Sequence, residues 1–313
     1  MDKEIVVTGI NGFVGEHLAR HLKTNDYIVH GVGREDAPSD KVKSYVDIYT
    51  QADLLDQDSV RTIPFKQARA IIHLAGLASV ADSFKNPDLY LTGNATMTEN
   101  LLKSAYSQGF QGRVVAVSTG ALYDASQPMP LSEESEITES SPYAAGKKRA
   151  EDLIKHHRAE GRDVVIARPF NHIGPGQEEG FLIPDLYKQL QAARTNGDNT
   201  ILVGNLNTRR DYTDVRDIAD AYLKLATARS LSHNMYNISS GVSHSGFEML
   251  GLLIDTIGAK DISPIIDEGR VRPTDAMDII GDSSRLRNEL GWDPRSNIQI
   301  AIEDFVKRKE SQS

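Results

Sequence analysis

Short runs rich in valine and isoleucine alternate with stretches of helical periodicity through the first half of the chain, and few architectures accommodate that rhythm. "EIVVTG" (4–9), "YIVHGVG" (27–33), "AIIHLAG" (70–76), "RVVAVST" (113–119) and "DVVIARP" (163–169) are apolar runs of strand length. Runs of this kind mark strands buried on both faces. Helix-like stretches fill the gaps at 12–22, 58–64, 94–108 and 143–160, and a further strand is expected just ahead of Asp53. Strand–helix alternation builds βαβ units and a parallel sheet with helices on both sides. After Pro169 the texture changes. A loop leads to a helix at 183–194, a polar stretch at 196–207, a helix at 215–227 and a strand at 235–239 that returns to the first sheet. A helix at 245–257, a short strand near Ile262 and a terminal helix after Pro294 complete the chain.

The 313 residues suffice for one or two domains, and their 25% charged and 39% hydrophobic content is that of a soluble globular protein. A net charge of −9 argues against a nucleic-acid surface. The absence of cysteine excludes disulfides and thiolate metal sites. No apolar run reaches the roughly 18 residues of a membrane span. "MDKEIVVTG" enters a strand at once, so no signal peptide and a cytoplasmic location are expected.

"TGINGFVG" places Gly9, Gly12 and Gly15 between the first strand and the first helix. Glycines there allow a tight turn and let the backbone approach a pyrophosphate at a helix N-terminus. A Rossmann-type, doubly wound parallel sheet follows as the expected α/β fold, joined to a smaller, discontinuous C-terminal substrate-binding domain. The expected division gives 1–171 and 208–242 to dinucleotide binding, and 172–207 and 243–313 to the substrate. The residue after the second strand selects the cofactor: an acid binds the ribose 2′-hydroxyl, an arginine accepts a 2′-phosphate. Arg34 stands there and points to NADP(H), while Glu35 and Asp36 beside it keep NAD(H) open.

"SPYAAGKKRAED" (141–152) raises the chemical question. Pro142 fits a first helical turn, so Tyr143 and Lys147, four apart, share one helical face. An ammonium beside a phenol lowers the phenol's pKa and creates a general acid for neutral pH. The spacing alone also fits an exposed amphipathic helix. His73, inside a strand, reads as a satisfied core histidine.

The G-x-x-G-x-x-G spacing together with Y-x-x-x-K resembles the short-chain dehydrogenase/reductase superfamily. "SPYAAGKKRAE", "ARPFNHIGPGQ", "GNLNTRRDYTDVRDIADAY", "YNISSG" and "RPTDAMDIIGDSSRLRNELGWDP" resemble its extended, nucleotide-sugar-modifying branch over nearly the whole chain. They are most similar to the GDP-6-deoxy-4-keto-mannose reductases, which make GDP-rhamnose, and to the GDP-mannose 4,6-dehydratases. The resemblance implies that Thr119 binds the substrate oxygen with help from Ser118, that Tyr143 moves the proton, and that Lys147 holds the nicotinamide ribose. It implies that Asn94 braces the site through water. It implies cofactor contacts at Asn11, Phe13, Val14, Asp53, Leu54, Leu74, Ala75, Gly76, Pro169 and Asn171. Asn171 would also face the sugar, Leu182 would close over the base, and Asn205 would lie near the nucleotide. Arg210 and Arg272 would grip the diphosphate, with Arg209 as a substitute for Arg210. Arg216 and Asp217 read as structural charges at a helix start. The dehydratases carry an acid just after the Ser/Thr, whereas this chain has Gly120 and Ala121. Glu134 is the nearby alternative acid. The expected activity is therefore NADPH-dependent reduction of a GDP-linked 4-keto-6-deoxyhexose by a homodimer. An NAD-dependent 4-epimerase and a non-catalytic NADP-sensing regulator are the competing readings.

Overall fold

The structure, a computed structural model, describes residues 3–270 and 276–312. The first part of the chain runs β1 (Glu4–Thr8), α1 (Phe13–Thr24), β2 (Ile28–Gly33), β3 (Ile48–Gln51), α2 (Gln57–Arg61), β4 (Ala70–His73), α3 (Val80–Lys85), α4 (Pro87–Ser107), β5 (Arg113–Val117), α5 (Pro142–Ala159) and β6 (Val164–Pro169). It continues through β7 (Asn171–Ile173), α6 (Leu182–Asn196), β8 (Thr200–Val203), β9 (Arg209–Asp214), α7 (Val215–Thr227) and β10 (Met235–Ile238). The last part holds β11 (Ser243–Ser245), α8 (Gly246–Ile257), β12 (Ser263–Ile266), β13 (Asp278–Ile279), α9 (Ser284–Leu290) and α10 (Ile298–Glu310).

Seven parallel strands form the main sheet in the order β10-β6-β5-β4-β1-β2-β3. Both faces are buried over β1, β2, β4, β5 and β6, which is why those five read as apolar runs, while β3 at the edge is partly exposed. Val6, Ile71 and Val114 turn to one side and pack with Leu101 of α4 and Ile154 of α5. Ile5, Val7, Ile72 and Val115 turn to the other and pack with Leu18 of α1 and Ile218 and Tyr222 of α7. The sheet is of Rossmann type: strand order reverses between β1 and β4, the switch point at which such sheets bind ligands.

A second core gathers Leu186 and Leu190 of α6, Ile201 and Val203 of β8, Leu250 and Leu253 of α8, and Ile302 and Phe305 of α10. Leu286 of α9 and the adjacent Trp292 belong instead to the core beneath the main sheet, where Trp292 Nε1 donates to the Asp217 carbonyl at 3.0 Å. α4 starts at Pro87, earlier than the expected 94, because Asn86 and Pro87 open it. β8 lies inside the polar 196–207 stretch; its four residues are too short to stand out and gain order by pairing with β12. No helix among the described residues is long and apolar enough to cross a membrane.

α5 and α4 pack across Gly146. A Cβ added there would stand 1.9 Å from the carbonyl oxygen of Tyr90. Helix propensity alone would favour alanine at this position by up to about 1 kcal/mol. Overpacking against backbone opposes it by about 1–3 kcal/mol or more. Gly146→Ala should therefore lower the thermal midpoint, and calorimetry that found the variant stabilised would contradict this packing.

Candidate active site

The glycine loop joins β1 to α1 at the switch point. Gly9 has φ +70°, and a Cβ there would lie 2.8 Å from the Ala75 amide nitrogen, so the loop touches the end of β4 backbone to backbone. A Cβ on Gly15 would strike the carbonyl oxygens of Ile10 at 2.4 Å and Gly9 at 2.6 Å. Gly12 precedes α1, is solvent-exposed, and supplies no side-chain cap. The first amides of α1, at Phe13 and Val14, thus begin a helix whose positive dipole end meets an open surface. A dinucleotide diphosphate fits this cradle.

Beyond β2, Arg34 is exposed, and its guanidinium makes no hydrogen bond or ion pair among the described residues. Asn11 turns its side chain the other way. Its Nδ2 donates to Glu35 Oε2 at 2.8 Å and its Oδ1 accepts from the Ser39 amide at 2.9 Å. That bond to Asn11 leads in holding the Glu35 carboxyl below its usual range. Asp53 is exposed and caps its own turn through the Leu55 amide, while Leu54 is buried against the main sheet. Leu74, Ala75 and Gly76 follow β4, and the Ala75 amide is fixed by Thr8 Oγ1 at 3.2 Å.

Tyr143 and Lys147 stand on the first two turns of α5. Ser141 Oγ caps the helix by accepting from the Ala144 amide at 3.1 Å, and Pro142 takes the first position. Both side chains are buried. Burial pushes the Tyr143 phenol up, with the hydrogen bond from Thr119 opposing. Burial pulls the Lys147 ammonium down to about 8, with Glu151 opposing. The expected lowering of the Tyr143 pKa by Lys147 is therefore corrected. Desolvation disfavours both charged forms, and Lys147 Nζ donates to the Val117 carbonyl at 2.9 Å rather than to the phenol. Thr119 Oγ1 accepts from the Ala121 amide at 3.1 Å, while Ser118 Oγ is buried without a partner. Asn94 clamps the chain after β4 directly: its Oδ1 accepts from the Leu77 amide at 2.8 Å and its Nδ2 donates to the Leu77 carbonyl at 3.2 Å. His73 is a satisfied core histidine, 2.8 Å from Thr8 Oγ1 and 3.2 Å from Thr98 Oγ1, and burial holds its pKa at about 3.

Pro169 ends β6, and Asn171 is exposed on β7, paired in register with Tyr212 of β9. Leu182 opens α6, and Asn205 accepts from the Asn207 amide at 3.0 Å. Arg210 Nη1 donates to the carbonyls of Arg209 and Ala276 at 2.7 and 2.8 Å. Arg209, its neighbour on the strand, is ion-paired to Glu248 and bonded to the Ser243 carbonyl. As a substitute for Arg210 it is therefore set aside, because alternation along β9 sends it to the opposite face. Arg272 lies outside the described residues. Arg216 pairs with Asp214 and Asp304, and Asp217 accepts from the amides of Arg295 and Ser296, so both are structural. Glu134 is exposed and ion-paired to Arg285. Phe170 escaped attention as a single residue: a Cβ on Gly120 would meet its ring carbons at 3.0 Å. Glu151 and Arg168 escaped too, although a charge inside the apolar run 163–169 was the available signal.

The profile described as the NAD dependent epimerase/dehydratase family matches residues 5–239. The chain belongs to that family. It is 32% identical over 319 residues to the GDP-6-deoxy-D-mannose reductase of Pseudomonas aeruginosa, covering 99% of this chain and 98% of that one. It is 29% identical over 310 residues to the GDP-6-deoxy-D-talose 4-dehydrogenase of Aggregatibacter actinomycetemcomitans, covering 98% of each. The solved structure of RMD from Pseudomonas aeruginosa complexed with NADPH superposes with a TM-score of 0.86 at 31% identity, over 99% of this chain and 100% of that one. As an extended short-chain dehydrogenase/reductase of this epimerase/dehydratase family, the chain is an NAD(P)-dependent oxidoreductase.

The Lys147 environment has a consequence for stability. The folded pKa of about 8 lies below the ordinary 10.5, so between those values the unfolded chain binds the extra proton. The burial penalty is present in full below pH 8 and is relieved as pH rises from 8 to 10.5. Chemical denaturation should show the unmodified protein gaining stability on Lys147→Met across that window. A constant difference from pH 7 to 10.5 would contradict the assignment.

Proposed function

We propose that this enzyme uses NADPH to reduce the 4-keto group of a nucleotide-linked 6-deoxyhexose, converting GDP-4-keto-6-deoxy-D-mannose to GDP-D-rhamnose. The observation that carries the reading is the turn after Thr119. Gly120 and Ala121 offer no acid, and the Phe170 ring fills the space beside Gly120. Water elimination across C5 and C6 needs one group to take the C5 proton and another to protonate the departing hydroxyl. Tyr143 can serve as one; Glu134 is turned to Arg285 and does not serve as the other. Reduction needs only a hydride and one proton. The similarity to the reductase of Pseudomonas aeruginosa and to a structure holding NADPH supports the same choice.

The chain's residues divide the work. Gly9, Gly12, Gly15 and the first amides of α1 hold the cofactor diphosphate, and Arg34 takes the 2′-phosphate. Arg210 and Arg272 grip the sugar nucleotide's diphosphate, with Leu182, Asn205 and Asn171 along its length. The cofactor, when bound, supplies the hydride. Thr119 hydrogen-bonds the carbonyl oxygen, and Tyr143 gives it a proton as it becomes an alkoxide. Burial helps here, because a phenol kept protonated at neutral pH is the form a proton donor requires. Lys147 holds the nicotinamide ribose. Residues 1–171 and 208–242 form the cofactor part and 172–207 and 243–313 the substrate part, with Arg210 of the first reaching the sugar nucleotide and α9 and Trp292 of the second packed in the core of the main sheet. Two copies pair through α4 and α5.

Tyr143→Phe should bind NADPH normally and lose about 10²–10⁴-fold in kcat, followed by nicotinamide absorbance; a loss below about fivefold removes Tyr143 from this role. Arg34→Ala should weaken NADPH about ten- to hundredfold, the worth of a charge-assisted hydrogen bond, and leave NADH unchanged. Equal affinity of the unmodified enzyme for both cofactors would sink the NADP assignment. Incubated with GDP-mannose alone, the protein should form no 4-keto sugar. With a 4,6-dehydratase and NADPH added, chromatography and NMR should find GDP-rhamnose. Dehydration by this protein alone overturns the reading, and hydroxyl inversion without net NADPH oxidation replaces it with an epimerase.

A further inference from the structure

Beneath Tyr143 and Lys147 lies a buried ion pair that no step above uses. Glu151, one turn beyond Lys147 on α5, is fully buried, and Arg168 on β6 is 3% exposed. Arg168 donates from Nε to Oε1 at 2.8 Å and from Nη2 to Oε2 at 2.5 Å, a fork that fixes the carboxylate's orientation as well as its place. The guanidinium lies over the Tyr123 ring, 4.8 Å from its centroid, and Tyr123 donates to Asn237 Oδ1 at 2.7 Å. Arg168 is therefore held between the Tyr123 ring and the Glu151 carboxylate.

Glu151 and Lys147 line one small cavity with His73, Asn94, Thr98 and Ser118. The two charges do not meet directly; Lys147 Nζ bonds to the Val117 carbonyl. The groups that face the ammonium are few. α5 contributes Tyr143 and Glu151, β4 contributes His73, α4 contributes Asn94 and Thr98, Ser118 follows β5, and β6 sends Arg168 behind Glu151. His73 and Tyr143 are neutral at working pH. Glu151 is the one anion in this shell among the described residues. Stability alone gives a weak reason for it, since apolar replacement of a buried pair is often neutral or stabilising.

We propose that Glu151, locked by Arg168, is a positioning residue whose fixed carboxylate is the counter-charge that keeps the Lys147 side chain an ammonium in the working pH range. The part of this inference that concerns turnover rests on the role given to Lys147 above; the charge assignment does not.

The test replaces the pair by apolar side chains of similar size, Glu151→Leu with Arg168→Met, because Glu151→Gln alone strands a buried guanidinium. Circular dichroism and thermal unfolding establish that the double variant folds. The lysines are then labelled with ¹³C at Cε and titrated by NMR without cofactor, and the Lys147 signal is identified by its loss in Lys147→Arg. Its inflection in the double variant should fall at least about one pH unit below that of the unmodified protein. The alkaline limb of NADPH affinity against pH should move down with it. Glu151→Asp, which keeps both charges but withdraws the carboxylate by one methylene, should shift the inflection in the same direction and by less; it decides the matter if the double variant does not fold. An inflection that stays in place in a folded variant overturns the proposal. Failure to reduce a 4-keto sugar would sink the reductase reading and leave this titration unaffected, so the two fail separately.

Discussion

A parallel sheet buried on both faces leaves chemistry one place to occur, the ends of its strands. The rest of this molecule follows from that constraint. Gly9 follows β1, Arg34 follows β2, Ala75 follows β4, Thr119 follows β5 and Asn171 follows β6, so residues far apart in sequence meet along one edge. α5 reaches the same edge from an excursion through residues 118–141. That excursion is pinned where the Leu131 amide donates to the Ile280 carbonyl at 2.8 Å and the Asp282 amide donates to the Leu131 carbonyl at 2.8 Å. The pinning lets Tyr143 meet Thr119 without a short connection between them.

The same burial that gathers these groups alters them. On an exposed helix, a lysine four residues from a tyrosine would act on it mainly as a charge. Inside, desolvation is the larger influence and pushes both groups toward neutrality. The structure answers this for the lysine with a backbone carbonyl and a remote carboxylate, and for the tyrosine with Thr119 alone. The phenol therefore rests with its proton, and the ammonium has a fixed acceptor in the Val117 carbonyl.

Much of this was legible because it is local. Five apolar runs gave five strands of the main sheet, and Gly9, Gly12 and Gly15 marked the loop because steric demand falls on a short stretch of chain. The Tyr143 and Lys147 spacing carried over to α5 for the same reason. What escaped depends on partners distant in sequence. β8 is four residues in a polar stretch and exists through β12. Asn94 lies within α4 because Asn86 and Pro87 begin the helix earlier than its apolar pattern does. Arg209 and Arg210 are equivalent in sequence, and only the fold shows that Arg209 is occupied by Glu248 of α8. Spacing on a helix says nothing about how deeply the helix is buried, and burial is what sets the direction of the Tyr143 shift.

The turn after Thr119 shows how packing limits the side chain that position 120 can carry. Phe170 sits between two glycines: a Cβ on Gly120 would meet its ring at 3.0 Å, and one on Gly281 at 2.5 Å. The Tyr123 ring stacks on it at 6.0 Å and 20°. One ring thus spaces three segments, the turn bearing Thr119, the end of β6 and the chain after β13. An acid at position 120 would have to displace that ring and, with it, the backbone that orients Thr119. At position 120 a missing acid is also a missing space, whereas Ala121 beside it is exposed. A larger side chain at position 120 would require the ring and its neighbours to move together, since interiors at this packing density yield little room to a single substitution.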